Sequence, residues 1–215
     1  VLGDGTELGT FLNDLLHKLR PERLRELVLL LLILVVLIFF STVIEHYLNA
    51  RLFNRVSTSV AIMGILAIGQ TLVVLTRNID LSVGSMVGFT AYFVGQQLSQ
   101  NNEITPLVAI LMAIGVGALM GGFNGFLVAF CRIPAIIVTL GTMALYRTLL
   151  VEYSDAQTVL TVNLPQWLLN LPRVNVLSYE RLHLRLMVAV MIIVVILFQL
   201  SLRYTSFGRK LYAVG

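Results

Sequence analysis

The sequence predicts an all-α fold, a polytopic transmembrane helical bundle of about six spans. Three observations carry this. The 215 residues are 58% hydrophobic and only 12% charged, about half the ~25% charged share of a soluble domain. The apolar residues gather in long windows almost free of charge. Those windows lack the strict alternation of a β-barrel, the other architecture that satisfies its own backbone in lipid.

The windows fall in order. Residues before the first, 1–26, carry mixed charge and read as a cytoplasmic segment; residues 27–215 read as the transmembrane domain. The apolar windows are Leu27 to Ile44, Val56 to Thr76, Leu81 to Asn102, Ile104 to Cys131, Ile133 to Tyr146 (to Val151 if Arg147 snorkels), and Leu186 to Leu202. Each is near the roughly 17 to 25 residues a helix needs to cross. Pro21, Pro106 and Pro134 stand at helix starts, where a missing N–H costs little. Residues 152–184 form the longest polar stretch; within it Leu164 to Pro172 reads as a short interfacial helix bounded by prolines, with Trp167 at headgroup depth. The first window lies too far from the start for a cleaved signal, and a chain that begins at Val1 is expected to be a fragment.

Orientation follows from Lys and Arg. With six spans and an internal N-terminus, Lys18, Arg20, Arg23, Arg25, Arg77, Arg132, Arg203, Arg209 and Lys210 face the cytoplasm. Arg51, Arg55, Arg147, Arg173, Arg181 and Arg185 face outward. The clusters at 18–25 and 203–210 place both ends in the cytoplasm.

Composition also excludes. One cysteine, Cys131, rules out a disulfide framework and a cysteine metal cage. A net charge of +4 is too small and scattered for nucleic acid. No Gly-rich loop with Lys and Ser/Thr offers an ATP site. A serine protease of the membrane would need a Gly-x-Ser-Gly elbow and a histidine on a facing span; "SVGSM" lacks the second glycine, and His183 falls in a loop. A secondary solute carrier with no ATPase partner is the alternative transport reading, but no span holds the acidic or histidine relay of a proton-coupled carrier.

The polar residues inside this apolar chain are the candidate functional residues. "LTRNIDLSVGS", residues 75–85, is a tight cytoplasmic turn between spans two and three. Asp80 can cap span three through the N–H groups of Ser82 or Val83, and Asn78 can take the left-handed conformation such a turn needs. The competing role for both is contact with a transported polar molecule. Gln70 is a buried amide in span two. In span four, Gly117, Gly121 and Gly125 form a small-residue stripe that lets another helix approach. Asn124 beside them either bonds a neighbouring helix or lines a pathway. Thr139 and Thr142 share a face of span five, and either bond back to their own helix or line the same pathway.

Three segments, "ILAIGQTLVVLTRNIDLSVGS", "GGFNGFLVAFCRIPAIIVTLGTMALYR" and "TSFGRKLYAVG", in this order over residues 40–215, resemble the permease subunit of bacterial ATP-binding-cassette sugar importers, the group that includes ribose, xylose, galactose and rhamnose permeases. The family usually has Gly-Gly before Ile-Asp-Leu-Ser; Arg77 and Asn78 stand there, as in the branch importing rhamnose or autoinducer-2. A glycine expected after Arg147 is Thr148, and a second Gly-Gly is replaced around "YSDAQ". The resemblance implies a multi-pass protein of the bacterial inner membrane that does no covalent chemistry and needs no cofactor of its own. It implies partners: a second permease subunit (the same or a paralogue), cytoplasmic ATPase subunits that bind the ATP, and an external solute-binding protein. In the family, Tyr-Ala-Val-Gly leads into the coupling helix and further spans of a roughly ten-span domain. The chain ends at Gly215, so it is expected to be the N-terminal portion and to lack the ATPase contact.

Overall fold

The structure is a computed structural model that describes residues 21–45, 47–179 and 182–214. It divides into two compact units, one up to Phe53 and one from Asn54.

The first unit holds α1 (Pro21–Val43). It starts at the expected proline. From Leu27 onward its large apolar side chains are all exposed, the signature of a helix whose solvent is hydrocarbon. Past its end, Tyr47 stacks on Phe40 at 5.5 Å, and the Asn49 side chain accepts from the Leu52 N–H at 2.8 Å. That bond caps the start of α2 (Ala50–Leu75). The second apolar window opened only at Val56, because Arg51 and Arg55 interrupt it; a helix can continue through charges that reach the surface.

The second unit holds the rest of α2, then α3 (Val83–Gln100), α4 (Pro106–Ala129), α5 (Ala135–Ser154), α6 (Gln166–Asn170), α7 (Leu186–Tyr204) and α8 (Ser206–Val214). Among the described residues, α1, α2, α4, α5 and α7 are long and apolar enough to cross a membrane. The expected six are thus five by that measure. α3 is a helix where the third window predicts one, but Ser85, Thr90, Gln96, Gln97, Ser99 and Gln100 make it too polar. It packs instead against α5 and α4, and a helix walled by protein can carry polar groups that lipid would reject.

A second difference lies in the polar stretch. An all-α reading misses a short antiparallel hairpin, β1 (Asn175–Tyr179) with β2 (Leu182–Arg185), which has a bulge between Asn175 and Leu177. The hairpin satisfies its own backbone where no spanning helix can. The proline-bounded helix is present as α6, followed by a 3-10 turn Leu171–Arg173. Trp167 lies against a cavity of about 870 Å3 walled by apolar side chains of α3, α4 and residues 164–171, and its indole N–H is buried with no acceptor among the described residues.

The buried set is small and largely polar. Ser82, Asn124, Thr139, Thr142 and Asn54 are buried beside Ala61, Leu98, Ala109, Met120, Val138 and Tyr146. In hydrocarbon, apolar side chains gain nothing by turning inward, so close packing and hydrogen bonds hold the helices. At the α7–α8 corner a Cβ on Gly208 would run into the Leu202 carbonyl, so only glycine fits there.

Candidate functional site: the turn between α2 and α3

α2 ends in a Schellman motif. The Asn78 N–H bonds the Val73 carbonyl at 3.1 Å and the Arg77 N–H bonds the Val74 carbonyl at 2.9 Å. The left-handed residue of this motif is Arg77, with φ 57°. That corrects the expectation for Asn78: the residue just past the helix end must be left-handed, and that position is 77. The Asn78 amide instead donates to the Thr76 carbonyl at 2.9 Å and hydroxyl at 3.1 Å, closing the turn on itself.

The chain then runs extended to Asp80. Its Oδ1 accepts from the Ser82 N–H at 2.8 Å and from the Ser82 hydroxyl at 2.6 Å. The carboxylate therefore bonds the Ser82 N–H that its spacing predicts, at the N-cap residue of α3 and not at a first-turn N–H of the helix itself. Ser82 has no exposed surface. Its oxygen also accepts from the Asn124 Nδ2 at 2.8 Å. Asn124 Oδ1 accepts from the Tyr146 hydroxyl at 3.2 Å, and that hydroxyl also points at the Met120 carbonyl at 2.9 Å. From α2, Gln70 Nε2 donates to the Asp80 carbonyl at 2.8 Å. From α5, Thr139 Oγ1 donates to the Ile79 carbonyl at 3.3 Å. Three helices thus hold one short turn.

Of the sequence-predicted residues, Gln70, Asp80, Ser82, Asn124 and Thr139 come together here. Thr142 does not: its hydroxyl bonds the Val138 carbonyl of its own helix at 3.0 Å. Asn78 is satisfied within the turn. The glycine stripe has no packed neighbour among the described residues: a Cβ at Gly117, Gly121 or Gly125 would meet nothing within 4 Å. Glycines at close seams are Gly64, whose Cβ would stand 2.6 Å from the Met191 sulfur, and Gly88, whose Cβ would stand 3.5 Å from Leu150. Tyr146 is the residue missed. It falls four positions after Thr142 and seven after Thr139, so extending that polar face by one turn would have found it.

Further along the same seam the chemistry changes. Phe89 and Phe93 approach Tyr153 at 6.1 and 5.8 Å, and Tyr92 meets it edge-on at 6.1 Å. The starts of α3 and α5 meet at Thr139 and their ends at Tyr153, so the two run parallel. α4 meets both through its C-terminal half and runs opposite.

With this geometry in hand, comparison with known proteins is informative. The family described as "Branched-chain amino acid transport system / permease component" matches residues 52–215. The chain is similar to the autoinducer 2 import system permease protein LsrC of Yersinia enterocolitica, 37% identical over 171 residues, 80% of this chain and 45% of that protein. The same-named protein of an Enterobacter strain is 40% identical over 79% of this chain and 47% of its own length. That of Salmonella typhi is 35% identical over 89% and 52%. The chain spans about half the length of these relatives. No solved structure matches. The three motifs, the bundle of membrane-crossing helices and the family match converge: this is a multi-pass membrane protein that belongs to the branched-chain amino acid transport system permease component family.

Proposed function

We propose that the chain is the N-terminal portion of the permease subunit of an ATP-binding-cassette importer that moves a small sugar-like solute, of the autoinducer-2 or rhamnose type, across the bacterial inner membrane. The observation that carries this reading is the alignment of 79–89% of the chain with permeases named for autoinducer 2 import. The assembly would comprise a second permease subunit, cytoplasmic ATPase subunits holding the ATP, and an external solute-binding protein. Residues 1–26 would lie in the cytoplasm. The Asp80 turn would position an inner gate, with Gln70, Ser82, Asn124 and Thr139 holding it and Asn78 and Thr142 shaping it locally. The stripe Gly117, Gly121 and Gly125 would seat a helix from beyond the described residues.

The test is uptake into vesicles by the whole permease that contains this chain, with its ATPase and binding protein. ATP-dependent accumulation of a furanosyl diester or rhamnose supports the reading. Accumulation of leucine in their place would favour the family's printed description, and accumulation without ATPase would favour a secondary carrier.

A further inference from the structure

We propose that Tyr146 is a positioning residue for the Asp80 turn, acting through Asn124 and Ser82 so that α5 and the turn move as one body. The hydrogen bonds have a fixed direction. Asp80 Oδ1 can only accept, so the Ser82 hydroxyl must give it its single proton at 2.6 Å. The Ser82 oxygen therefore faces Asn124 with lone pairs, and the Asn124 NH2 fills that place at 2.8 Å. The Asn124 carbonyl oxygen is then turned toward Tyr146, whose single hydroxyl proton lies between that oxygen at 3.2 Å and the Met120 carbonyl at 2.9 Å. A carboxylate in the turn thus sets the orientation of Ser82 and Asn124, and Tyr146 meets the Asn124 oxygen from the interior of α5. Ser82, Asn124 and Tyr146 are all buried, where no water can replace a lost partner.

The alternative anchor on α5, Thr139, touches only backbone. It fixes where the turn lies but not how the carboxylate points. Tyr146 is linked to the carboxylate through the Asn124 and Ser82 side chains, from two turns further along the helix. The inference rests on the permease reading for its transport consequence, and on the hydrogen bonds alone for its structural one.

The experiment uses the whole permease with its ATPase and binding protein, in a Cys131→Ser background. The variants are Tyr146→Phe, Ser82→Ala and the pair. Uptake gives KM and maximal rate, and an Arg77→Cys reporter gives the thiol-labelling rate of the turn. Each single variant is expected to lower the maximal rate about 3- to 10-fold with KM unchanged and to speed labelling at position 77. The pair is expected to be no worse than the worse single, because one chain is broken once or twice. Multiplicative losses in the pair, or unchanged labelling in both singles, would overturn the proposal. If Tyr146→Phe fails to accumulate, Ser82→Ala decides by labelling alone, and an unchanged rate overturns the proposal. If the unaltered complex shows no ATP-driven uptake, the permease reading fails while the labelling comparison still judges the chain.

Discussion

Asp80 carries a charge at the end of two apolar helices, and the structure gives that charge two donors from Ser82. Asp80→Asn keeps an acceptor at the start of α3; Asp80→Ala removes it, at about 0.5–2 kcal/mol. The expected outcome separates folding from transport. The Asn variant accumulates and melts near normally yet loses uptake, because an amide no longer dictates which way Ser82 and Asn124 point. The Ala variant loses stability as well. Normal uptake by Asp80→Asn, measured beside its membrane level, would reduce Asp80 to a structural acceptor. Its bond to Ser82 was legible in the sequence because the partner is two residues away. Tyr146 could be placed on the polar face of α5 by its spacing, but its acceptors could not, since they lie 22 and 26 positions off and only the packing of α4 on α5 joins them.

Two helices end on non-glycine residues in the left-handed conformation that glycine usually takes there. Arg77 after α2 has φ 57°, and Asp155 and Ala156 after α5 have φ 49° and 56°. At both ends the same pair of bonds closes the helix, with Ala156 reaching the Val151 carbonyl and Asp155 that of Glu152. A left-handed backbone costs an L-residue roughly 1–2 kcal/mol that glycine escapes, less its greater loss of freedom on folding. Arg77→Gly is therefore expected to raise stability by about 0.5–1 kcal/mol, read as a higher melting temperature of detergent-solubilised protein; a lower one would mean that the arginine makes a compensating contact. Helix positions were readable from charge-free windows. The hairpin was not, because four- and five-residue strands in a polar stretch leave no apolar run.

The order of contacts along the α3–α5 seam constrains the whole chain. Parallel α3 and α5 with an opposed α4 is the arrangement expected of helices that cross in alternation. With the basic clusters at 18–25 and 203–210, it leads to the prediction that both termini face one side. In the Cys131→Ser background, a cysteine at position 101 or 157 is expected to react with an impermeant reagent from outside, and one at 18 or 209 to be spared; the reverse pattern would invert the topology. Family membership was legible at this scale, because three ordered motifs survive in one dimension. The meeting of Gln70, Asn124 and Thr139 on one turn was not.

The polarity of α3 bears on biogenesis. A helix with three glutamines and no run of large apolar residues gains little by partitioning into lipid alone. It is therefore expected to enter only together with the helices that wall it, once α5 has been made. A chain cut after Asn102 is expected to leave α3 at the aqueous surface. One continued through Asp155 should hold it across the bilayer, a contrast that a glycosylation tag beyond each cut would read directly. Insertion of the shorter chain with full efficiency would show that α3 needs no companions.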